Sequence, residues 1–211
     1  MYNLPYFKEQ DATQVLAFMR AHPFATVMCS TGTWPAATQV PLLFEEREGK
    51  LFLRGHFMRN TDHHKAFQQN SHALCLFTGP HAYVSASWYT QPQQASTWNY
   101  MSVHAKGFLN FLDESALRDI LEQTTSQFEN NPASPASYHH LPAAYIDKLI
   151  DAIVGFEIEV TTIEHVFKLS QNRDVESYHN IITQLQQGDA DASAVATEME
   201  KRMAQHADQK K

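Results

Sequence analysis

Residues 78–107, TGPHAYVSASWYTQPQQASTWNYMSVHAKG, hold two β-patterned runs with the same division of faces. Read with the two-residue period of a strand, HAYVSASWY sets Ala82, Val84, Ala86 and Trp88 against His81, Tyr83, Ser85, Ser87 and Tyr89. TWNYMSVHAKG sets Met101, Val103, Ala105 and Gly107 against Trp98, Tyr100, Ser102, His104 and Lys106. One face of each run is small and apolar and suits a core. The other joins flat apolar rings to polar tips, which is neither a core face nor an ordinary solvated one.

Working outward, the strand-like segments are FATVMCS, PAATQVPLLFEE, KLFLRGHF, HALCLFTGPHAYVSA and STWNYMSVHAKGFLNFL, separated by the turn signals TGTWP, EREGK and TQPQQ. Strands at this spacing suggest an antiparallel meander closing into a small barrel. A helix is expected from Asp11, a natural N-cap, to about Ala21. From Asp113 the period becomes helical, with Leu117, Ile120, Leu121, Thr124 and Phe128 on one face, as far as the loop NNPASPAS. A second such helix carries Ile146, Leu149, Ile150 and Ile153. The alternating run GFEIEVTTIEHVFKLSQN then returns a strand to the barrel, and Asp174–Gly188 reads as a helix. The fold class expected is therefore mainly β with helices, α+β, in a domain over residues 1–187. Residues 188–211 read as a polar, Ala-rich helical or frayed tail, and the late basic residues Lys201, Arg202, Lys210 and Lys211 as part of it, in solvent.

A 211-residue chain with 43% hydrophobic residues can bury a substantial core. Its net charge of −7 gives no general attraction to nucleic-acid backbones, which argues against direct DNA binding. No run approaches the roughly 18 apolar residues of a membrane span, and MYNLPYFKEQ lacks the features of a signal peptide, so a cytoplasmic, non-membrane protein is expected. Cys29 and Cys75 both lie in apolar strand runs and read as buried thiols.

His56, His63, His64 and His81 lack the close ligand spacing of a zinc site, and no metal is expected. Ser85 and Ser87 stand in a strand run without a nucleophile elbow, and no glycine-rich phosphate loop occurs. In LRGHFMRNTDHHKAF, Arg59, Asn60 and Thr61 converge at a helix start, which reads either as an anion site or as an ordinary capped helix with a solvated arginine. In FKLSQNR, Lys168, Ser170 and Gln171 close a long strand. They read either as an exposed strand end or, beside the His81/Tyr83 and Trp98/Tyr100 faces, as the polar rim of a site for a flat aromatic ligand.

Together HPFATV, PLL, GH followed by Arg59, GPHAYVS.SWY, TWNY..VHA.G and GFEI...IE..FKLSQN resemble the PaiB-like family of FMN-binding proteins, over roughly residues 1–187. The resemblance implies an antiparallel split β-barrel with peripheral helices, related to the pyridoxamine-phosphate oxidase and flavin reductase superfamily. It implies FMN at a homodimer interface, with His56, Arg59, Asn60, Thr61, His81, Trp98, Asn99, Lys168, Ser170 and Gln171 at the cofactor. Thr61, Asp62 and His63 stand where the family has an Asn-Pro-His turn, and Asp62 adds negative charge there. Ala86 replaces a usual proline, and His165-Val166 a usual Gly-Lys.

Three functions follow as expectations. One is a flavin reductase-like oxidoreductase taking hydride from NADH or NADPH, without an essential side-chain acid or base. Another is an FMN- or ligand-binding negative transcriptional regulator without turnover, and a third is haem binding on the same barrel.

Overall fold

Strands of alternating pattern and helices of three- to four-residue spacing account for nearly all of the apolar residues, and both are present in the computed structural model, which describes Met1 and residues 4–208, with side chains as far as residue 203. The strands are β1 (Phe24–Ser30), β2 (Pro35–Pro41), β3 (Leu43–Arg47), β4 (Lys50–Met58), β5 (His72–Val84), β6 (Thr97–Phe111) and β7 (Ile153–Lys168). The helices are α1 (Ala12–Ala21), α2 (Asp62–Gln69), α3 (Glu114–Glu129), α4 (Ala143–Ala152), α5 (Val175–Leu185) and α6 (Ala190–Asp208). The strands form one sheet in the order β2-β1-β5-β6-β7-β4-β3. The chain divides into two compact units. One comprises Met1–Phe18, Thr78–Val103 and the residues from Glu164 onward, the other Met19–Phe77 and His104–Ile163.

The second unit holds parts of all seven strands. β1 pairs antiparallel with β2 and β5, and β4 with β3 and β7. The Leu112 N–H donates to the Gly155 carbonyl at 2.9 Å and the Thr161 hydroxyl to the Lys106 carbonyl at 3.2 Å, so β6 and β7 also run in opposite directions. Val27, Leu53, Cys75, Phe77, Phe156 and Ile158 are fully buried on the inward faces. α3 begins at Asp113, whose carboxylate accepts from the Ala116 N–H at 2.9 Å. Leu117 on α3, Ile146 and Ile150 on α4 and Ile153 at the start of β7 then form one buried cluster. Phe128 does not extend that face, being 53% exposed at the helix end. The run PAATQVPLLFEE is two strands, not one. Pro41 has no N–H to continue a ladder, and Leu42 is buried with its N–H on the Pro23 carbonyl at 2.9 Å.

In the first unit β5 ends at Val84, two residues before the end of the predicted strand HALCLFTGPHAYVSA, and the alternation in HAYVSASWY does not continue. The Ser85 hydroxyl accepts from the Ser87 N–H at 3.2 Å and caps a 3₁₀ turn over Ala86–Trp88, so the alternation lapses and Tyr89 is buried. The Thr90 N–H then donates to the Ser177 hydroxyl at 2.9 Å, and that hydroxyl to the Asp174 carboxylate at 2.7 Å, tying the loop to the N-terminus of α5.

Residues 190–208 are helical, and the polar composition hides an apolar stripe. Ala192, Val195, Ala196 and Met199 recur at helical spacing and are buried, with α6 packed on α5. Arg202 is not in solvent. It bonds Glu9 at 2.6 Å and Glu198 at 3.0 Å and lies 4.9 Å over the Phe167 ring. Lys210 and Lys211 lie outside the described residues.

Gly107 lies close against β7, because a Cβ there would stand 2.1 Å from the Glu159 carbonyl oxygen. Gly107→Ala should therefore force β6 and β7 apart and destabilise by about 3 kcal/mol, the upper end for overpacking, because the opposing atom is backbone. A urea unfolding curve with an unmoved midpoint would refute this close contact.

Candidate functional site

β4 delivers His56 and then a tight turn. Asn60 has φ +62°, in the left-handed region that asparagine tolerates, and its N–H donates to His64 Nδ1 at 3.0 Å. Thr61 caps α2 by accepting from the His64 N–H at 3.4 Å. The Arg59 backbone N–H is held by the Ala152 carbonyl at 2.9 Å, leaving an exposed guanidinium at the helix start. The structure thus brings Arg59, Asn60 and Thr61 together, with His56 half-buried at the end of the same strand. Asp62 shares the turn. Its carboxylate accepts from the His63 N–H at 2.7 Å, taking one of the helix's free donors. Burial, then the charge of Arg59, holds His64 below the ordinary histidine range, and burial alone does so for His56.

A second group forms in the first unit where β7 ends. Lys168 Nζ donates to Thr97 Oγ1, and burial followed by the charge of Arg173 lowers its pKa. The Arg173 guanidinium stacks 4.0 Å over the Tyr89 ring and donates to Gln94 Oε1. Ser170, with φ +62°, donates to Asn99 Oδ1 at 3.0 Å, and Asn99 Nδ2 donates to Met199 Sδ at 3.4 Å. The Gln171 amide folds back, accepting from the Leu169 N–H at 2.8 Å and donating to the Phe167 carbonyl. Asn99, Ser170 and Gln171 therefore use their polar atoms within the chain and hold the turn that presents Lys168.

His81 and Trp98 lie together elsewhere in the same unit, ring centroids 5.8 Å apart, in a cavity of about 580 Å³ that Asp189 and Asp191 also line. The two carboxylates were not expected from the sequence, because only the turn between α5 and α6 brings them to β5 and β6. Arg173 and Thr97 were missed for the same reason, each being ordinary in its own segment. Among the described residues no group of three or more His, Cys, Asp or Glu is placed to hold a metal ion. Burial pushes the Cys75 thiol up to about 12 and raises Cys29, so neither is a ready nucleophile.

An antiparallel sheet in this order, flanked by helices, is a split barrel of the kind found in flavoproteins. A solved flavocytochrome from Azotobacter vinelandii superposes with a TM-score of 0.57 at 17% identity, over 85% of this chain and 78% of that one. The solved FAD and heme binding protein from Mycobacterium smegmatis gives 0.55 at 15% identity, over 81% and 78%. The chain belongs to the FMN-binding family described as "Putative FMN-binding domain", whose model matches residues 1–162. Protease synthase and sporulation protein PAI 2 of Bacillus subtilis is 34% identical over 186 residues, 88% of this chain and 89% of that protein. FMN is thus the cofactor, as the PaiB-like resemblance implied. No helix among the described residues is long and apolar enough to cross a membrane.

His56, His64 and His165 are all shifted down, with burial the largest cause in each. The unfolded chain binds protons to them near pH 6.5 while the folded chain does not, so their stabilisation is full above about pH 6.5 and is lost as pH falls through the lower folded values. The urea midpoint should be lower at pH 5 than at pH 7.5, and His56→Gln should reduce that difference. An equal or higher midpoint at pH 5 would contradict the assignment.

Proposed function

We propose that the protein is a flavin reductase-like oxidoreductase, holding FMN at the interface of a homodimer and taking hydride from NADH or NADPH. The observation that carries this reading is the pair of cationic positions in an otherwise acidic chain, Arg59 at the start of α2 and Lys168 beside Arg173 at the end of β7. Arg59 by itself suits the strongly anionic end of FMN, and Lys168 by itself a ring whose charge becomes negative on reduction.

Arg59, with the Asn60 and Thr61 turn and His56, would hold the phosphate end by charge-assisted hydrogen bonds. Lys168 would supply positive charge to the ring, and its lowered pKa reflects a partly desolvated setting in which such a charge acts strongly. Asn99 and Ser170 position that lysine through the buried turn. When bound, the cofactor supplies hydride acceptance and electron transfer, which is why no side-chain acid or base is required. The outward face of β6, from Trp98 to Phe108, exposes aromatic area that a second copy would bury, which supports the homodimer.

A second reading, a regulator that binds FMN without turnover, is supported by the name of the PAI 2 relative. NADH oxidation by the FMN-loaded protein, set against a gel shift at the same moderate salt, separates the two. Turnover without a DNA shift is expected.

Arg59→Ala should weaken FMN by roughly tenfold or more in a fluorescence-quenching titration, the lower end for a lost charged hydrogen bond because the group is exposed. Wild-type affinity in that variant would send the phosphate elsewhere. Sedimentation velocity should find a dimer at micromolar concentration, and a monomer would remove the interfacial site.

A further inference from the structure

β4 ends at Met58 and α2 begins at Asp62, so the three residues Arg59, Asn60 and Thr61 make the whole turn between them. Each is tied down by a different partner. The Arg59 N–H is on the Ala152 carbonyl at 2.9 Å, and the Thr61 hydroxyl donates to the Met58 carbonyl at 2.9 Å while capping α2. The Asn60 N–H donates to a side chain, His64 Nδ1, at 3.0 Å. Asn60 is also the residue at positive φ, +62°, a backbone state that a non-glycine residue keeps only when its surroundings hold it there. His64 therefore fixes the left-handed step directly after Arg59.

To accept that N–H, His64 must keep a lone pair on Nδ1, which makes it a neutral imidazole with its proton on Nε2. Its surroundings favour that form. The ring is buried, edge-to-face with Phe111 at 5.2 Å and 88°, and 6.1 Å from Phe57. The charged and titratable groups acting on it are Arg59, His63 and Lys65, each of which opposes a further positive charge. The Asp62 carboxylate is turned to His63, 2.7 Å from its N–H nitrogen and 3.2 Å from its ring Nδ1. A proton on Nδ1 would set one N–H against another and break the tie to Asn60.

We propose that His64 is a positioning residue for FMN, which as a neutral imidazole sets the turn that aims Arg59 at the phosphate and on gaining a proton loosens the hold on the cofactor. This rests on the reading that Arg59 holds the phosphate. Burial and Arg59 put the folded value of His64 below the ordinary value of about 6.5, so its contribution to FMN binding is full above that pH and is lost as pH falls through the lower value. A histidine acting only by its charge would do the opposite, because His64 as a cation would attract the phosphate.

His64→Asn puts an oxygen where Nδ1 stands, and His64→Leu puts a methyl group there on a side chain of the same branching. Neither titrates, so the difference between them isolates the acceptor. In a fluorescence-quenching titration at pH 7.5, the Asn variant should bind FMN roughly five- to tenfold more tightly than the Leu variant, with circular dichroism checking that both fold. Between pH 7.5 and pH 5 the wild type should lose roughly threefold or more of its affinity beyond what the Asn variant loses, the phosphate's own titration being common to both. That comparison does not need the Leu variant to fold. In an Arg59→Ala background the difference between Asn and Leu should shrink to about twofold or less, because His64 acts through Arg59. NMR of the imidazole nitrogens in the FMN-free protein at pH 7.5 should show His64 protonated on Nε2. Equal affinities of the Asn and Leu variants, equal acid losses in wild type and Asn variant, tighter wild-type binding in acid, an undiminished difference without Arg59, or a proton on Nδ1 would each overturn the inference alone. Wild-type FMN affinity in Arg59→Ala itself would instead overturn the phosphate reading, and the inference with it.

Discussion

The closest constraint in this protein is the contact between β6 and β7 at Gly107, where the Glu159 carbonyl occupies the space of a side chain. It matters because β6 lies between β5 and β7 in the sheet order, so its register decides what its two faces present. Asn99, Met101, Val103, Ala105, Gly107 and Leu109 are buried, and Trp98, Lys106 and Phe108 are exposed on the other face. A slip of one residue would bury Lys106 and expose Val103. A glycine held against backbone forbids that slip more firmly than side-chain packing could, because no rotamer change relieves the clash.

The same strand carries a less expected device. Asn99 is fully buried on the inward face, where an unpaired amide would cost about 1–3 kcal/mol. Its oxygen accepts from Ser170 and its nitrogen donates to Met199, so one residue links β6 to the turn after β7 and to α6. Ser170 reaches it only by adopting a left-handed backbone, and Gln171 satisfies the amide and carbonyl groups that this turn leaves open. Polar residues at the end of a strand thus have a structural use, and the exposed-end reading of LSQN fails for Ser170, which is buried.

Much of the fold was legible because strand and helix periods are local. Most of the strands and the helical starts near Asp113 and Asp174 can each be read from a dozen neighbouring residues. What was not legible depended on distant partners or on short hydrogen bonds that compete with a period. Ser85 ends β5 by capping a turn, which the alternation alone does not reveal. Arg202 looks like one more charge in a polar helix until Glu9, nearly two hundred residues away in sequence, is placed beside it. Burial pushes the Glu9 carboxyl up, but the Asp11 N–H and the Arg202 guanidinium outweigh it and leave Glu9 below its ordinary value. The candidate site divides along the same line. The Arg59–Thr61 turn could be read from its own segment, whereas Lys168 with Thr97 and Arg173 with Gln94 required the folded chain.

Net charge is a poor guide to what such a chain binds. The formal charge of −7 bears on whole-molecule attraction to a polyanion, which acts over roughly a Debye length, whereas a bound small molecule meets only the groups within a few ångströms. At that range the molecule is heterogeneous. The end of β7 is positive enough for Arg173 to depress Lys168, while the cavity at His81 and Trp98 is lined by carboxylates and rings. Two local fields of opposite sign cannot favour the same ionic group.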